Sequence, residues 1–173
     1  MTIAIILELL IVVGLVVVLR ILLRGAPYLP SKPRAITEQV QLSGAAPGKR
    51  IAEIGSGDGR VAIALAKAGA TVDGYENNPL LIKRSRQAAE TAGVSQLVTF
   101  HRRDLWKVNY AEYDAVVVFG FTYLMKRLSR KLAAEMKPGT VIVSNAFRIS
   151  EWEPVEQGSS ALKYLVPKRS GRE

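Results

Sequence analysis

Residues 51–60 read IAEIGSGDGR. No other stretch restricts the architecture as much. A short apolar run leads into glycines at 55, 57 and 59, and a helix-forming segment follows at once. The spacing predicts a buried strand over 50–54 and a helix over 60–68. A strand that exits directly into a helix finds its next partner by a crossover, so it belongs in a parallel sheet. The rest of the chain repeats the alternation. Strands are predicted over 71–75, 97–100, 114–119 and 141–144. A helix starts at Asn78-Pro79, a good N-cap followed by a first-turn proline, and closes at Gly93. Another begins near Tyr123, carries Leu124, Leu128, Leu132 and Met136, and stops at Lys137-Pro138-Gly139. A weaker helical pattern covers 35–42, and 151–167 suits a terminal hairpin. The expected fold is α/β, a mostly parallel Rossmann-like sheet with helices on both faces.

In such sheets the ligand lies beyond the carboxyl ends of the strands, where the strand order reverses. The loop at Gly55 is not the dinucleotide fingerprint G-x-G-x-x-G, because Arg60 stands where the third glycine belongs. It reads E-x-G-x-G-x-G from Glu53 to Gly59, with Ser56 and Asp58 between the glycines. Two acids disfavour a pyrophosphate there and suit an ammonium or sulfonium centre. Glu76, followed by Asn77, ends the second strand, where a carboxylate can accept ribose hydroxyls. Asp104 follows the third strand and can accept from an adenine amino group, with Leu105 and Trp106 placed to flank the base. A tight structural turn explains the glycines alone but not the acids at all three strand ends. A phosphate-free nucleoside with a positive centre points to S-adenosylmethionine (AdoMet).

The chain opens with TIAIILELLIVVGLVVVL, interrupted only by Glu8 before Arg20. About twenty helical residues span roughly 30 Å, the hydrocarbon thickness of a bilayer. A signal peptide would start with basic residues and end in a small-residue cleavage site, and a core helix would carry a polar stripe. Neither pattern is present, so residues 2–23 are expected to be a single transmembrane anchor. An acid at mid-membrane costs about 3 kcal/mol on insertion scales, which the leucines, isoleucines and valines offset. Arg20, Arg24, Lys32 and Arg34 follow the segment, which places the remainder on the cytoplasmic side. Residues 24–48, with the proline-rich GAPYLPSKP, form a linker, and 49–173 the catalytic domain.

Composition narrows the chemistry. With no cysteine and one histidine among 173 residues, the chain has no disulfide, no thiolate metal site and no cysteine nucleophile. No metal is expected. A formal charge of +9 favours an anionic partner, whether acidic protein, nucleic acid or lipid. His101 is expected at an exposed strand end, and Tyr123 in helix-start packing.

The motifs GSGDGR, GYENNP, DLWKVNY with VVVFG, and EWEP, in that order, resemble the membrane-anchored lysine methyltransferases that modify the ATP synthase c-subunit, and the related archaeal protein lysine methyltransferases. The resemblance covers residues 27–154. It implies AdoMet-dependent transfer to a lysine ε-amine, with Glu53, Gly55 and Gly57 around the methionine part, Glu76 on the ribose and Asp104 near adenine. Tyr28 and Ser31 would line the cofactor or the lysine channel. Lys32 separates Ser31 from Pro33, where the family places proline directly after the serine or threonine. Partners implied are a protein lysine substrate, membrane proteins included, and the membrane.

The residues leave two alternatives open. One is methylation of RNA or a small molecule, which the basic charge also suits. The other is a membrane-tethered AdoMet-binding protein without turnover. Methylation of exocyclic adenine or glutamine amides is disfavoured, because VFGF stands where such enzymes carry Asn or Asp, two prolines and an aromatic residue.

Overall fold

The computed structural model describes residues 2–24, 29–119 and 122–168, with side chains from residue 4 to 16 in the first of these stretches. Tyr28 lies outside the described residues, as do the basic residues Arg169 and Arg172.

Among the described residues seven strands form one sheet. They are β1 (Arg50–Ile54), β2 (Thr71–Glu76), β3 (Val98–Arg102), β4 (Ala115–Val118), β5 (Val141–Asn145), β6 (Glu156–Gln157) and β7 (Ala161–Leu165). The sheet order is β3-β2-β1-β4-β5-β7-β6. The first five strands pair in parallel, and the closing hairpin joins antiparallel through β7. Strand order reverses between β1 and β4, which opens a crevice above their carboxyl ends.

Side chains alternate across the sheet, so the central strands β1, β2, β4 and β5 each supply two cores. On one face Ile51, Val72, Phe100 and Val117 pack with α2 (Pro33–Ser43), α3 (Arg60–Lys67) and α4 (Pro79–Thr91). On the other, Ala52, Ile54, Val116 and Ile142 meet Met125, Leu128 and Leu132 of α5 (Thr122–Glu135). The N-cap reading holds, since the side chain of Asn78 accepts from the amide of Leu80 at 2.9 Å. α2 packs on α3, β5 and β7, and its Glu38 accepts from Ser160 and Ala161 in the β6–β7 turn.

α1 (Thr2–Arg24) precedes this body. Its described side chains include Leu7, Leu9, Leu10, Ile11 and Val12, each more than half exposed. That described stretch extends about 20 Å. Among the described residues no helix is long and apolar enough to cross a membrane.

His101 stands next to the end of β3 with its side chain 37% exposed, yet the ring is held: it stacks on Tyr75, with centroids 5.1 Å apart, and its Nε2 is 2.6 Å from Asp73 Oδ1. A buried carboxylate needs partners, and Tyr113 and Arg50 donate to the same Asp73. Burial pushes the Asp73 carboxyl up, but these hydrogen bonds and the Arg50 charge outweigh it and hold the group below the usual carboxylate range. Tyr123, in the first turn of α5, is 56% exposed.

Candidate functional site

The glycine loop turns because three of its residues take left-handed backbone conformations, Gly55 at φ 75°, Gly57 at 54° and Gly59 at 82°. At Gly59 a Cβ would also sit 2.7 Å from the Phe100 ring, so α3 packs closer to the sheet than any other residue type allows. At Gly55 the nearest atom to such a Cβ is the Phe119 carbonyl oxygen, at 4.0 Å. The loop is thus tight below and open above.

Glu53 points from β1 toward the first turn of α3, where the amide of Ala62 donates to it. That bond satisfies one of the unpaired amides at a helix start. The other oxygen, Oε2, is buried and has no hydrogen-bond partner among the described residues; the same holds for Ser56 Oγ. Burial, with the Asp58 and Glu76 charges adding to it, pushes the Glu53 carboxyl up to about 8 against the Ala62 bond. An orphaned acid at the end of β1 and an orphaned hydroxyl in the loop that follows fit a cationic donor such as an ammonium group.

Glu76 sits where expected but is already engaged. Its Oε2 accepts from the amide of Gly57 at 3.1 Å, and its Oε1 from those of Asn77 and Asn78 at 2.7 and 2.8 Å. The carboxylate therefore ties the glycine loop to the turn after β2. With two lone pairs on each oxygen, one on Oε2 remains for an incoming hydroxyl. Asp104 caps a short 3₁₀ turn (Leu105–Lys107), its Oδ1 accepting from the amide of Trp106 at 3.0 Å. Leu105 is half-buried against the α5 core, and the Trp106 ring carries the Arg127 guanidinium 4.1 Å from its centroid.

Ser31 is buried. Its hydroxyl accepts from the Asn145 side-chain amide at 3.2 Å, and its carbonyl from Arg60 at 3.2 Å. Arg60 also forms an ion pair with Asp58, at 2.6 Å. The segment ahead of α2 is in this way fixed to the glycine loop and to the end of β5. Sequence reasoning missed Arg60 and Asn145 as parts of the site. Arg60 had a signal, since it breaks the dinucleotide pattern at a position beside an acid. The rings of Phe119 and Phe147, at the ends of β4 and β5, face each other with centroids 6.0 Å apart. Ala146, just before Phe147, holds a positive φ of 65°, a strained conformation for a residue with a side chain.

The model of the family described as ANTKMT methyltransferase domain matches residues 53–156. Over 128 residues, 74% of the chain, the sequence is 39% identical to the ATP synthase c-subunit lysine N-methyltransferase of Rattus norvegicus, of which 59% is covered. It is 38% identical over 75% of its length to the adenine nucleotide translocase lysine N-methyltransferase of Mus musculus, of which 56% is covered. The chain thus spans a little over half the length of these relatives. Among solved structures, an RNA methyltransferase from Salinibacter ruber in complex with S-adenosyl-L-homocysteine superposes with a TM-score of 0.79 at 27% identity. That likeness covers 84% of this chain and 98% of the other.

Proposed function

The chain belongs to the family of the ANTKMT methyltransferase domain, and on that footing we propose that it is an AdoMet-dependent methyltransferase acting on the ε-amine of a lysine in a protein. The observation that carries the reading is the presence of two orphaned buried atoms, Glu53 Oε2 at the end of β1 and Ser56 Oγ in the glycine loop. Glu53 and Ser56 would hold the methionine end of the cofactor, the free lone pair of Glu76 a ribose hydroxyl, and Asp104 with Leu105 the base.

AdoMet, when bound, supplies a methyl group on a sulfonium for in-line displacement. What the protein adds is alignment, which contributes up to about 7–11 kcal/mol in well-oriented reactions. The acceptor lysine has to arrive neutral, and with an ordinary pKa near 10.4 that costs about 4–5 kcal/mol at pH 7. Phe119 and Phe147 offer an apolar wall beside the loop. Desolvation against it favours the uncharged amine, so no dedicated base is required.

Membrane anchoring by residues 2–23 belongs to the same proposal, with the catalytic domain on the cytoplasmic side and a membrane-proximal protein as substrate. Its support is the exposed apolar surface of α1, and a sequence in which Val17, Val18 and Leu19 continue the run. Two relatives are named for lysine methylation of the ATP synthase c-subunit and of the adenine nucleotide translocase.

RNA methylation is the second reading, favoured by the likeness to the Salinibacter enzyme and by the +9 charge. Incubating the full chain with methyl-labelled AdoMet and a membrane extract separates the two. Label that resists nuclease, yields to protease and is recovered as methyl-lysine supports the protein substrate. Label released by nuclease would sink it.

A further inference from the structure

We infer that the carboxyl-end rim of the sheet, where the glycine loop opens, faces and contacts an anionic lipid surface, so that the catalytic crevice opens onto the membrane. The inference rests on the proposed anchor and adds to it the orientation of the domain and the kind of surface it meets.

Three observations on the chain carry it. The first concerns α1. Leu9, Leu10, Ile11 and Val12 are consecutive, which takes them once around the helix, yet each is between 55% and 64% exposed. A helix whose described residues, Glu8 apart, are apolar and exposed all round has hydrocarbon as its natural surroundings.

The second is a limit of covalent reach. Ser31 is fixed to the rim by Asn145 at the end of β5 and by Arg60 at the start of α3. Arg24, the last residue of α1, lies seven residues earlier. Whatever path the chain takes between them, seven residues span at most about 25 Å. The rim therefore cannot lie further than that from the end of the anchor.

The third is the composition of the rim itself. In a parallel sheet every helix that follows a strand begins at the carboxyl edge, so the first turns of α4 and α5 project there. Each presents an exposed apolar side chain, Leu80 at 69% and Tyr123 at 56%; Leu29, just before Ser31, is 51% exposed. Arg102 and Arg103 at the end of β3, and Arg127 over Trp106, add exposed positive charge. Apolar side chains interleaved with arginines suit an interface with anionic lipid headgroups. At the opposite edge Lys49 pairs with Asp114 and Arg50 with Glu112, while Lys137 stands exposed.

The absence of cysteine makes a direct test simple, since each introduced cysteine carries one label. The full chain bearing Leu80→Cys, Tyr123→Cys or Lys137→Cys, each with a fluorescent donor, is reconstituted into vesicles of phosphatidylcholine and phosphatidylserine carrying a headgroup acceptor. Lys137 lies exposed in the turn before β5, at the far edge. Energy transfer from positions 80 and 123 is expected to exceed that from position 137 several times over, and the excess to shrink when phosphatidylserine is omitted. Equal transfer from all three positions, or more from position 137, overturns the inference. So does a chain that stays off the vesicles and self-associates through α1. Because the measurement uses neither cofactor nor lysine, a failed methyl transfer leaves its result standing, and the reverse holds as well.

Discussion

Asn145, at the end of β5, donates its side-chain amide to the hydroxyl of Ser31 across 3.2 Å, although 114 residues separate them in the chain. Both are buried. This bond, with that from Arg60 to the Ser31 carbonyl, joins the segment after α1 to the edge of the cofactor crevice.

Asn145→Ala leaves the Ser31 hydroxyl without that donor, and such a loss costs about 1–3 kcal/mol. Chemical denaturation should show a lower midpoint at unchanged slope. Ser31→Ala should cost a similar amount, and the double variant less than the sum, because both remove one bond. Strict additivity would show that the two side chains act separately.

Gly59→Ala combines two penalties. A left-handed backbone costs a residue with a Cβ about 1–2 kcal/mol, and overpacking a core typically adds about 1–3 kcal/mol. The Phe100 ring, 2.7 Å from the added atom, is held in the core and yields little. Thermal unfolding should fall well below that of Gly93→Ala, where φ is also positive but nothing lies within 4 Å. Equal losses would mean that the close approach of α3 to the sheet carries no weight.

Glu38 gives a stability effect with a defined pH window. Hydrogen bonds from Ser159 and Ser160 hold its carboxyl down to about 2, from an ordinary value of 4.5. A depressed pKa contributes stability that is present above the ordinary value and is lost as pH falls toward the depressed one. Urea midpoints of the native chain should drop between pH 4.5 and about pH 2 more than those of Glu38→Gln. At about pH 6, above the ordinary value, the variant should be the weaker of the two. A variant with the same acid limb as the native chain would remove Glu38 as the link between α2 and the β6–β7 turn.

Much of the scaffold can be read directly from the chain. The alternation of buried runs and helical spacing locates all five parallel strands, Asn78 declares its helix start, and the glycines declare the loop. Local signals suffice there, because strand burial and capping depend on neighbours in sequence. What escapes is long-range pairing. Nothing near His101 announces Asp73, 28 positions away, or the shared bonds that draw that ring into the sheet. Glu76 is legible as a strand-end acid, yet only folding shows that three backbone amides already use its carboxylate. Ser31 is placed in the site by family resemblance, while its partners Asn145 and Arg60 emerge only when β5 and α3 are brought beside it.

Glu53 provides the most direct test of the central claim, that the glycine loop over a buried acid receives the cationic end of AdoMet. Below about pH 8 the carboxyl of the free protein holds a proton. A positive ligand favours the ionised form, so binding expels that proton, and affinity should rise about tenfold per pH unit between about pH 6 and 7, where the α-ammonium of AdoMet keeps its own proton. Calorimetric titration with AdoMet in buffers of different ionisation enthalpy should show release of close to one proton at about pH 6.5, and none at that pH in Glu53→Gln. Binding without proton release at that pH, or the same release from the glutamine variant, would contradict the account.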